Sequence, residues 1–393
     1  MPRVQPRGAT VRATQDRVAP ADAGECAAIL AQAGAEGRMV GIGGGLTKHY
    51  LGDAASLDIE LRTTSIAGIV DHVPADLTVT VAAGTRFADL RAALARAGQF
   101  LPIDTPHADD ATIGGVIAAN ANGFWRARYG GVRDLLIGTR VALTDGTVIR
   151  SGGRVVKNVA GYDLNKLFVG SFGTLGVIVE ATFKVLPIPA AEAGLIARFG
   201  TASDAFNAAA IIARAPARAE AVVVERQPDG WGLVVSARGD DKTVARAVAD
   251  ARHAAGSSAE SAAVGDRLAL ARELPARAVE GALVRVALPL ASQTAFAEAA
   301  ARRDTFRELV ADASSAVHRV HLIGEDDAVA EDAGALVANA RAAGGTGRIE
   351  RRSARLSERL RTWPDAPLGE TLMRRLKTQF DPAGILEPGR SPG

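Results

Sequence analysis

Apolar positions along this chain change period repeatedly, and the changes mark out its elements. Residues 22–34 repeat at helical spacing, with Asp22 where an N-cap belongs. Short strand-like runs follow at 38–42, 56–61, 66–72 and 77–82. Thr85 opens a predicted helix over 86–97, and Gly98 ends it. Residues 105–134 show neither period. Residues 135–150 predict a hairpin, because Asp145-Gly146 separates two apolar runs. A strand is predicted over 177–186, and Pro187 and Pro189 stop it.

Beyond that point the texture changes. Strand 193–199, helix 203–214, the hairpin 221–226 and 231–237 across Asp229-Gly230, and helix 241–254 form one predicted unit. Strand 282–288, helix 292–303, strand 315–323, helix 328–343 and strand 347–351 form another. The helices are Ala/Arg-rich and amphipathic, as expected of a packed α/β domain. A helix near 368–379 and a Pro/Gly-rich tail close the chain, and residues 257–281 receive no element.

Composition narrows the function classes. At 393 residues the chain has room for two domains, and 46 basic against 44 acidic residues leave a net charge of +2. That balance argues against a dedicated nucleic-acid binder. A single cysteine, Cys26, excludes an intrachain disulfide and a multi-cysteine metal cluster, and it reads as filler on the first helix. No segment reaches the roughly 18–20 unbroken apolar residues of a membrane helix. Arg3, Arg7, Arg12 and Arg17 lack an apolar run behind them, so they read as a frayed tail rather than a secretory signal.

The 42 glycines are clustered, and the clusters carry the candidate chemistry. Gly43, Gly44 and Gly45 follow a predicted strand, where a sharp turn can aim backbone N–H groups at an anion. The dinucleotide fingerprint fails here, because Leu46 and Lys48 stand where a glycine is needed; the P-loop spacing fails too. Alone, the loop is equally a phosphate site or a tight turn. A second loop contains Thr112, Ile113, Gly114 and Gly115, then small Ala118, Ala119 and Ala121, which let backbone approach a flat ligand. Asn120 and Asn122 offer amide hydrogen bonds. A third carries Gly170, Gly173 and Gly176 into an apolar strand. Three such loops suggest one extended ligand with a pyrophosphate and a ring system.

These segments, in this order, resemble the vanillyl-alcohol oxidase / p-cresol methylhydroxylase (PCMH-type) FAD-binding superfamily. The likeness rests on the G-x-G-G-G loop, the A-T-I-G-G segment, the run NVAGYDLNKLFVGSFGTLGVI at 158–178, and the tail LKTQFDPAGILEPGR at 376–390. The wording KNVAGYD at 157–163 is most similar to the E-type subunits of bacterial glycolate oxidase. The resemblance implies an α+β fold. Residues 1–188 would be the FAD-binding domain of two α/β subdomains, 189–351 a ferredoxin-like α/β cap that sets the substrate, and 352–393 a segment returning to the first domain. It implies that Gly43, Gly44, Gly45, Leu46 and Thr47 face the diphosphate, and that Thr112, Ile113, Gly114 and Gly115 run past it. Asn120, Asn122 and Gly123 would lie near the isoalloxazine. Gly173, Thr174, Gly176, Val177 and Ile178 would form the adenine side. Arg126, Arg128 and Tyr129 would present polar groups near the flavin.

Two positions depart from the family pattern: Phe172 stands where many relatives have Glu, and Glu387 where many have Asn. A carboxylate beside a flavin disfavours its anionic reduced ring, so Glu387 either points away or tunes the cofactor. Covalent subfamilies carry a histidine in the first loop; here that place is Leu46, and His49 reads as a surface residue. The FAD is therefore expected to be non-covalent.

The chemistry beyond the flavin is thin. Histidines number six, without the metal-binding segment of larger relatives; His318 and His321, three apart on a strand, point to opposite faces. No metal is expected. Ser171 lacks a nucleophile elbow. His107 is the best candidate for a flavin-side proton carrier. The resemblance implies oxidation of a 2-hydroxy acid such as glycolate, beside a larger flavoprotein subunit and an iron–sulfur subunit. An assembly subunit with a vestigial FAD site and a free-standing oxidase remain alternatives. Cytoplasmic localisation, peripheral to the inner membrane through partners, is expected. Residues 351–393 carry an excess of basic over acidic residues, which reads as a solvated face or a docking surface for an acidic partner.

Overall fold

A computed structural model describes residues 14–53, 55–153, 163–364 and 369–390. Arg3, Arg7 and Arg12 and most of the KNVAGYD wording, residues 157–162, lie outside the described residues. The chain divides into two compact units, each discontinuous in sequence.

The first unit comprises, among the described residues, 14–122, 130–188 and 369–390. It opens with β1 (Thr14–Val18), α1 (Ala23–Glu36), β2 (Val40–Gly43) and β3 (Leu57–Arg62), which form a three-stranded parallel sheet in the order β1-β3-β2. Asp22 caps α1 as expected, accepting from the N–H groups of Gly24 (2.8 Å) and Glu25 (2.9 Å). Cys26 and Leu30 on α1 are fully buried with Ile59, Leu61 and the tail residues Ile385 and Leu386. Burial pushes the Cys26 thiol pKa up to about 12, with the Glu25 charge adding to it, so the thiol is inert.

Next come β4 (Ile69–Val73), β5 (Thr78–Ala82), α2 (Phe87–Arg96), α3 (Ile113–Ala118), β6 (Leu136–Ala142), β7 (Val148–Gly152) and β8 (Val177–Lys184). Their strands make an antiparallel sheet in the order β4-β5-β8-β6-β7. Phe87, Leu90 and Leu94 of α2 pack with Phe168, Phe183 and Val81. Thr85 does not cap α2. Its hydroxyl instead accepts from Gly68 N–H at 2.8 Å and donates to Gly68 O, while Arg86 is the uncapped N-terminal residue. The Asp145-Gly146 turn stands as expected, with Gly146 at φ +84° and Asp145 accepting from Thr147 N–H.

The second unit comprises, among the described residues, Gly123–Tyr129 and residues 189–364. Besides the short helices Arg126–Tyr129, Gly265–Arg272 and Leu274–Arg277, it holds β9 (Ala191–Phe199), α4 (Ala202–Arg214), β10 (Ala221–Gln227), β11 (Gly230–Gly239), α5 (Asp241–Ala255), β12 (Glu260–Ser261), β13 (Ala282–Ala287), α6 (Gln293–Ala301), β14 (Phe306–Asp312), β15 (Val317–Leu322), α7 (Asp326–Ala342) and β16 (Thr346–Arg352), which are the elements of its sheet and core. They form two β-α-β-β-α-β repeats on one sheet, in the order β12-β9-β11-β10-β14-β15-β13-β16. Numbered within itself, each repeat has strand order 4-1-3-2, and the repeats join by antiparallel pairing of β10 with β14. Helices α4 to α7 supply Phe206, Ile212, Ala251, Phe296 and Leu336 to one core on one face of the sheet. Leu356 and Leu360 also lie in that core, so the chain just beyond β16 packs here. The second-unit hairpin turns at Pro228-Asp229, since Gln227 pairs with Gly230.

Candidate functional site

Three glycine-bearing segments of the first unit converge on one half-open cleft. The first follows β2. A Cβ on Gly44 would stand 2.0 Å from Thr112 Oγ1, and one on Gly45 would stand 1.8 Å from the Asp110 carbonyl oxygen. Glycine is therefore needed at both positions for close approach to residues 110–112. Leu46 follows in the left-handed region at φ +57°. Arg62 holds the loop by donating to Gly44 O at 2.8 Å, and it pairs with Glu60 at 2.9 Å.

The second segment is Thr112 and α3. Thr112 Oγ1 is buried against the glycine loop and makes no hydrogen bond among the described residues. A buried hydroxyl without a partner is costly unless something bonds it. Gly114 and Gly115 line the cleft behind it, together with Ala118 and Ala119. The third segment is the turn before β8. Phe172 (φ +54°), Gly173 (φ +81°) and Gly176 (φ +147°) all take positive φ, and Val177 and Ile178 carry the lining into the strand. A Cβ on Gly176 would meet Val141 Cγ1 at 2.8 Å.

The tail motif seals one end of this site. Asp381, its side chain fully buried, accepts from the N–H groups of Ile385 (3.1 Å) and Leu386 (2.8 Å). Lys377 bonds the Asp381 carboxylate and donates to Thr174 O at 3.0 Å and Leu386 O at 2.8 Å. The tail then lies along β2, with Glu387 N–H donating to Val40 O at 2.8 Å. Glu387, 1% exposed, accepts from Ile42 N–H at 2.7 Å through Oε1 and pairs with Arg390 Nε at 2.9 Å through Oε2. Its charge is thus matched by Arg390, and its role is to fix the strand that leads into the glycine loop.

The cleft offers about 670 Å³ of empty space, part of it open to solvent. Of the expected cofactor residues, Gly44, Gly45, Leu46, Thr47, Thr112, Gly114, Gly115, Gly173, Gly176, Val177, Ile178 and Glu387 line it. Gly43 ends β2, and its carbonyl accepts from Thr63. Ile113 sits in the core, and Thr174 closes its own turn by donating to Ser171 O at 2.7 Å. Asn120 and Asn122 lock a loop together: Asn122 Nδ2 donates to Asn120 Oδ1 at 2.8 Å, and Asn122 Oδ1 accepts from Val132 N–H at 2.9 Å. His107 lies outside the lining, in a turn at φ +56° that positions Asp110 and Ala111.

Gly123, Arg126, Arg128 and Tyr129 belong to the second unit. There Phe124 is buried with Ala221 and Leu283, and Arg238 stacks over Trp125 at 5.5 Å. Arg126 is exposed, and Arg128 lies over the Tyr129 ring at 5.9 Å. Tyr129 donates to Glu220 at 3.1 Å. Burial first, then the Glu220 charge, raises the phenol pKa, so Tyr129 stays protonated.

Sequence reasoning missed Lys48, which lines the cleft next to Thr47 and donates to Pro106 O at 3.5 Å. It also missed the struts Arg62 and Lys377. His49 is not a surface residue: it is half-buried in the cleft lining. His318 and His321 do point to opposite faces, His318 stacked on Phe206 and His321 bonded to Glu280 O.

Residues 15–152 match the family described as FAD binding domain. That stretch is an FAD-binding domain. Its cofactor is FAD, and the cleft fits one: a glycine cradle that a Cβ would fill, a buried hydroxyl awaiting a partner, and a lysine beside it. The chain is 43% identical over 158 residues to glycolate oxidase subunit GlcE of Escherichia coli (strain K12), covering 39% of this chain and 44% of that protein. It is 44% identical over 124 residues to glycolate oxidase subunit GlcD of Bacillus subtilis (strain 168), covering 32% and 26%. A D-lactate dehydrogenase of Archaeoglobus fulgidus is 36% identical over 199 residues, covering 50% and 44%. The chain thus spans less than half the length of these curated relatives. Beyond the FAD-binding domain, the fold extends to a solved alkyldihydroxyacetonephosphate synthase, with a TM-score of 0.71 at 15% identity over 94% of this chain and 75% of that one.

Proposed function

We propose that this chain is the FAD-carrying subunit of an assembly that oxidises a 2-hydroxy acid, glycolate to glyoxylate, or relays the electrons of that oxidation. The observation that carries this reading is the 43% identity over 158 residues to a glycolate oxidase subunit. FAD supplies a two-electron acceptor for a C–OH centre. Gly44, Gly45 and Thr47 present backbone to the diphosphate, and Thr112 offers its hydroxyl to it. Lys48 supplies a matching positive charge. Val177 and Ile178 line the adenine side. Leu46 stands where covalent relatives carry histidine, which supports a non-covalent flavin.

The partners in this reading are a larger flavoprotein subunit and an iron–sulfur subunit. With one cysteine, this chain cannot ligate a cysteine-bound cluster itself. The 4-1-3-2 strand order of each repeat supports reading the second unit as a ferredoxin-like cap. Among the described residues, no helix is long and apolar enough to cross a membrane. The cytoplasmic location is part of this proposal.

The test is anaerobic titration of the affinity-purified assembly with glycolate, D-lactate and D-2-hydroxyglutarate, followed by flavin absorbance. Bleaching in the assembly and not in the isolated chain is expected. A solitary chain that oxidises glycolate and releases hydrogen peroxide would sink the dependence on partners. A flavin that dithionite reduces and none of these acids reduces, even in the assembly, would leave a scaffold role instead.

A further inference from the structure

Three arginines stand abreast on the sheet of the second unit. Arg285, on β13, is paired directly with Arg319 of β15 on one side and Arg348 of β16 on the other. Their sequence neighbours Val284, Val286, Val320 and Ile349 belong to the helix-covered core. Strand alternation therefore places all three arginines on the opposite face, where Leu283 and Val310 pack with Phe124. Like charges directly opposite one another destabilise a strand pair, so this row needs a compensating anion.

The protein supplies part of one. Glu350 accepts from Arg319 Nε at 2.7 Å and lies 3.7 Å from Arg348 Nη2. Burial pushes the Glu350 carboxyl up, but the charges of Arg319 and Arg348 hold its pKa down at about 2. Asp312, further along the face, is engaged by Ser314 and Ser315. Arg285, half-buried at the centre of the row, makes no hydrogen bond or ion pair among the described residues. Burial, then the charges of Arg348 and Arg319, pulls its pKa down to about 9 against the opposing pull of Glu350. A guanidinium carries five N–H donors and matches a carboxylate with two parallel bonds.

We propose that Arg285, flanked by Arg319 and Arg348, is the anchor of a carboxylate-binding site on this face of the second unit. The ligand class is a small mono- or dicarboxylate. Taking that carboxylate to be the one on the 2-hydroxy acid rests on the function proposed above; the anion site itself does not.

The experiment is calorimetric titration of the FAD-loaded full chain with oxalate, which has the carboxylate and no oxidisable C–H bond, and in parallel with sulfate. Saturable oxalate binding near one per chain is expected. Arg285→Met should weaken it at least tenfold, Arg285→Lys less, and the exposed Arg198→Met not at all. Removing a crowded charge should leave the thermal midpoint of free Arg285→Met unchanged or raised, so lost binding is not misfolding. Equal oxalate binding by wild type and Arg285→Met, or no saturable binding by wild type, would overturn the site. Sulfate binding tighter than oxalate with the same Arg285 dependence would overturn the carboxylate assignment. Arg285-dependent oxalate binding with no 2-hydroxy acid reducing the flavin even in the assembly would sink the proposed function and keep the site. Unchanged apparent glycolate affinity of the assembly carrying Arg285→Met would overturn the assignment of this site to the 2-hydroxy acid.

Discussion

In the cofactor cleft Gly44 lies against Thr112 and Gly45 against Asp110, with no room for a side chain at either glycine. A methyl group at residue 45 would stand 1.8 Å from the Asp110 carbonyl oxygen, far inside van der Waals contact, so the two segments must part to admit it. Gly45→Ala is expected to purify with less than a tenth of the wild-type flavin, measured by absorbance ratio. Thr112→Val keeps the shape and removes the unpartnered hydroxyl. It should weaken FAD binding about tenfold, roughly the 1.4 kcal/mol of one hydrogen bond, while leaving stability in urea unchanged. Glu387 is a different kind of residue, since its two oxygens answer Ile42 N–H and Arg390. Glu387→Ala takes the paired carboxylate from the buried Arg390 guanidinium, and loss of one partner of such a pair costs about 3–5 kcal/mol. Glu387→Gln keeps an acceptor for Ile42 and should lose clearly less, by urea unfolding of the flavin-free protein. The glycines and Thr112 were legible in the sequence because their residue types are rare in that order. Lys48, Arg62 and Lys377 were not, because a lysine or arginine announces a charge and not the carbonyl it reaches.

At the scale of elements, long amphipathic helices and hydrophobic strands were legible and polar or glycine-rich ones were not. β1 reads TQDRV and is held at a sheet edge partly by Arg17 pairing with Glu60 at 3.0 Å, a contact 43 residues away in sequence. α3 reads IGGVIA, and its two glycines erase the helical signal. β14 opens with Phe-Arg-Glu, whose charged residues hide the alternation that Leu309 and Ala311 continue. One element-level tie has a measurable pH signature. Glu220 accepts from Tyr129 (3.1 Å) and Ser236 (3.3 Å), binding the 123–129 segment to β10 and β11. Burial raises the Glu220 pKa to about 7, opposed first by the Arg238 charge. A carboxyl raised in the folded state contributes stability that is full below pH 4.5 and is lost as pH rises to 7. Glu220→Gln should therefore be more stable than wild type at pH 8 by about 2–3 kcal/mol, with the gap closing by pH 4.5. Urea titrations at both pH values check this; equal gaps at both would contradict it. His318 pulls the other way, because burial lowers its pKa to about 3 and its share of stability is lost as pH falls below 6.5.

At the scale of the whole molecule, each unit is assembled from distant stretches of chain. The first takes its last strand contact from a tail more than 340 residues beyond β2, and the second takes Gly123–Tyr129 from the middle of the first. Local periodicity carries no record of such returns, so the exchange of segments was not legible. The residues that line the cofactor cleft all belong to the first unit, so its occupancy can be measured without substrate or an activity assay. The most direct measurement is therefore the visible spectrum of the purified chain after incubation with FAD, followed by acid precipitation. Flavin absorbance near one per chain, released into the supernatant, is the expected result. A chain that stays colourless with excess FAD, or a yellow pellet that holds its flavin through acid, would contradict a non-covalent FAD site built on Gly44, Gly45 and Thr112.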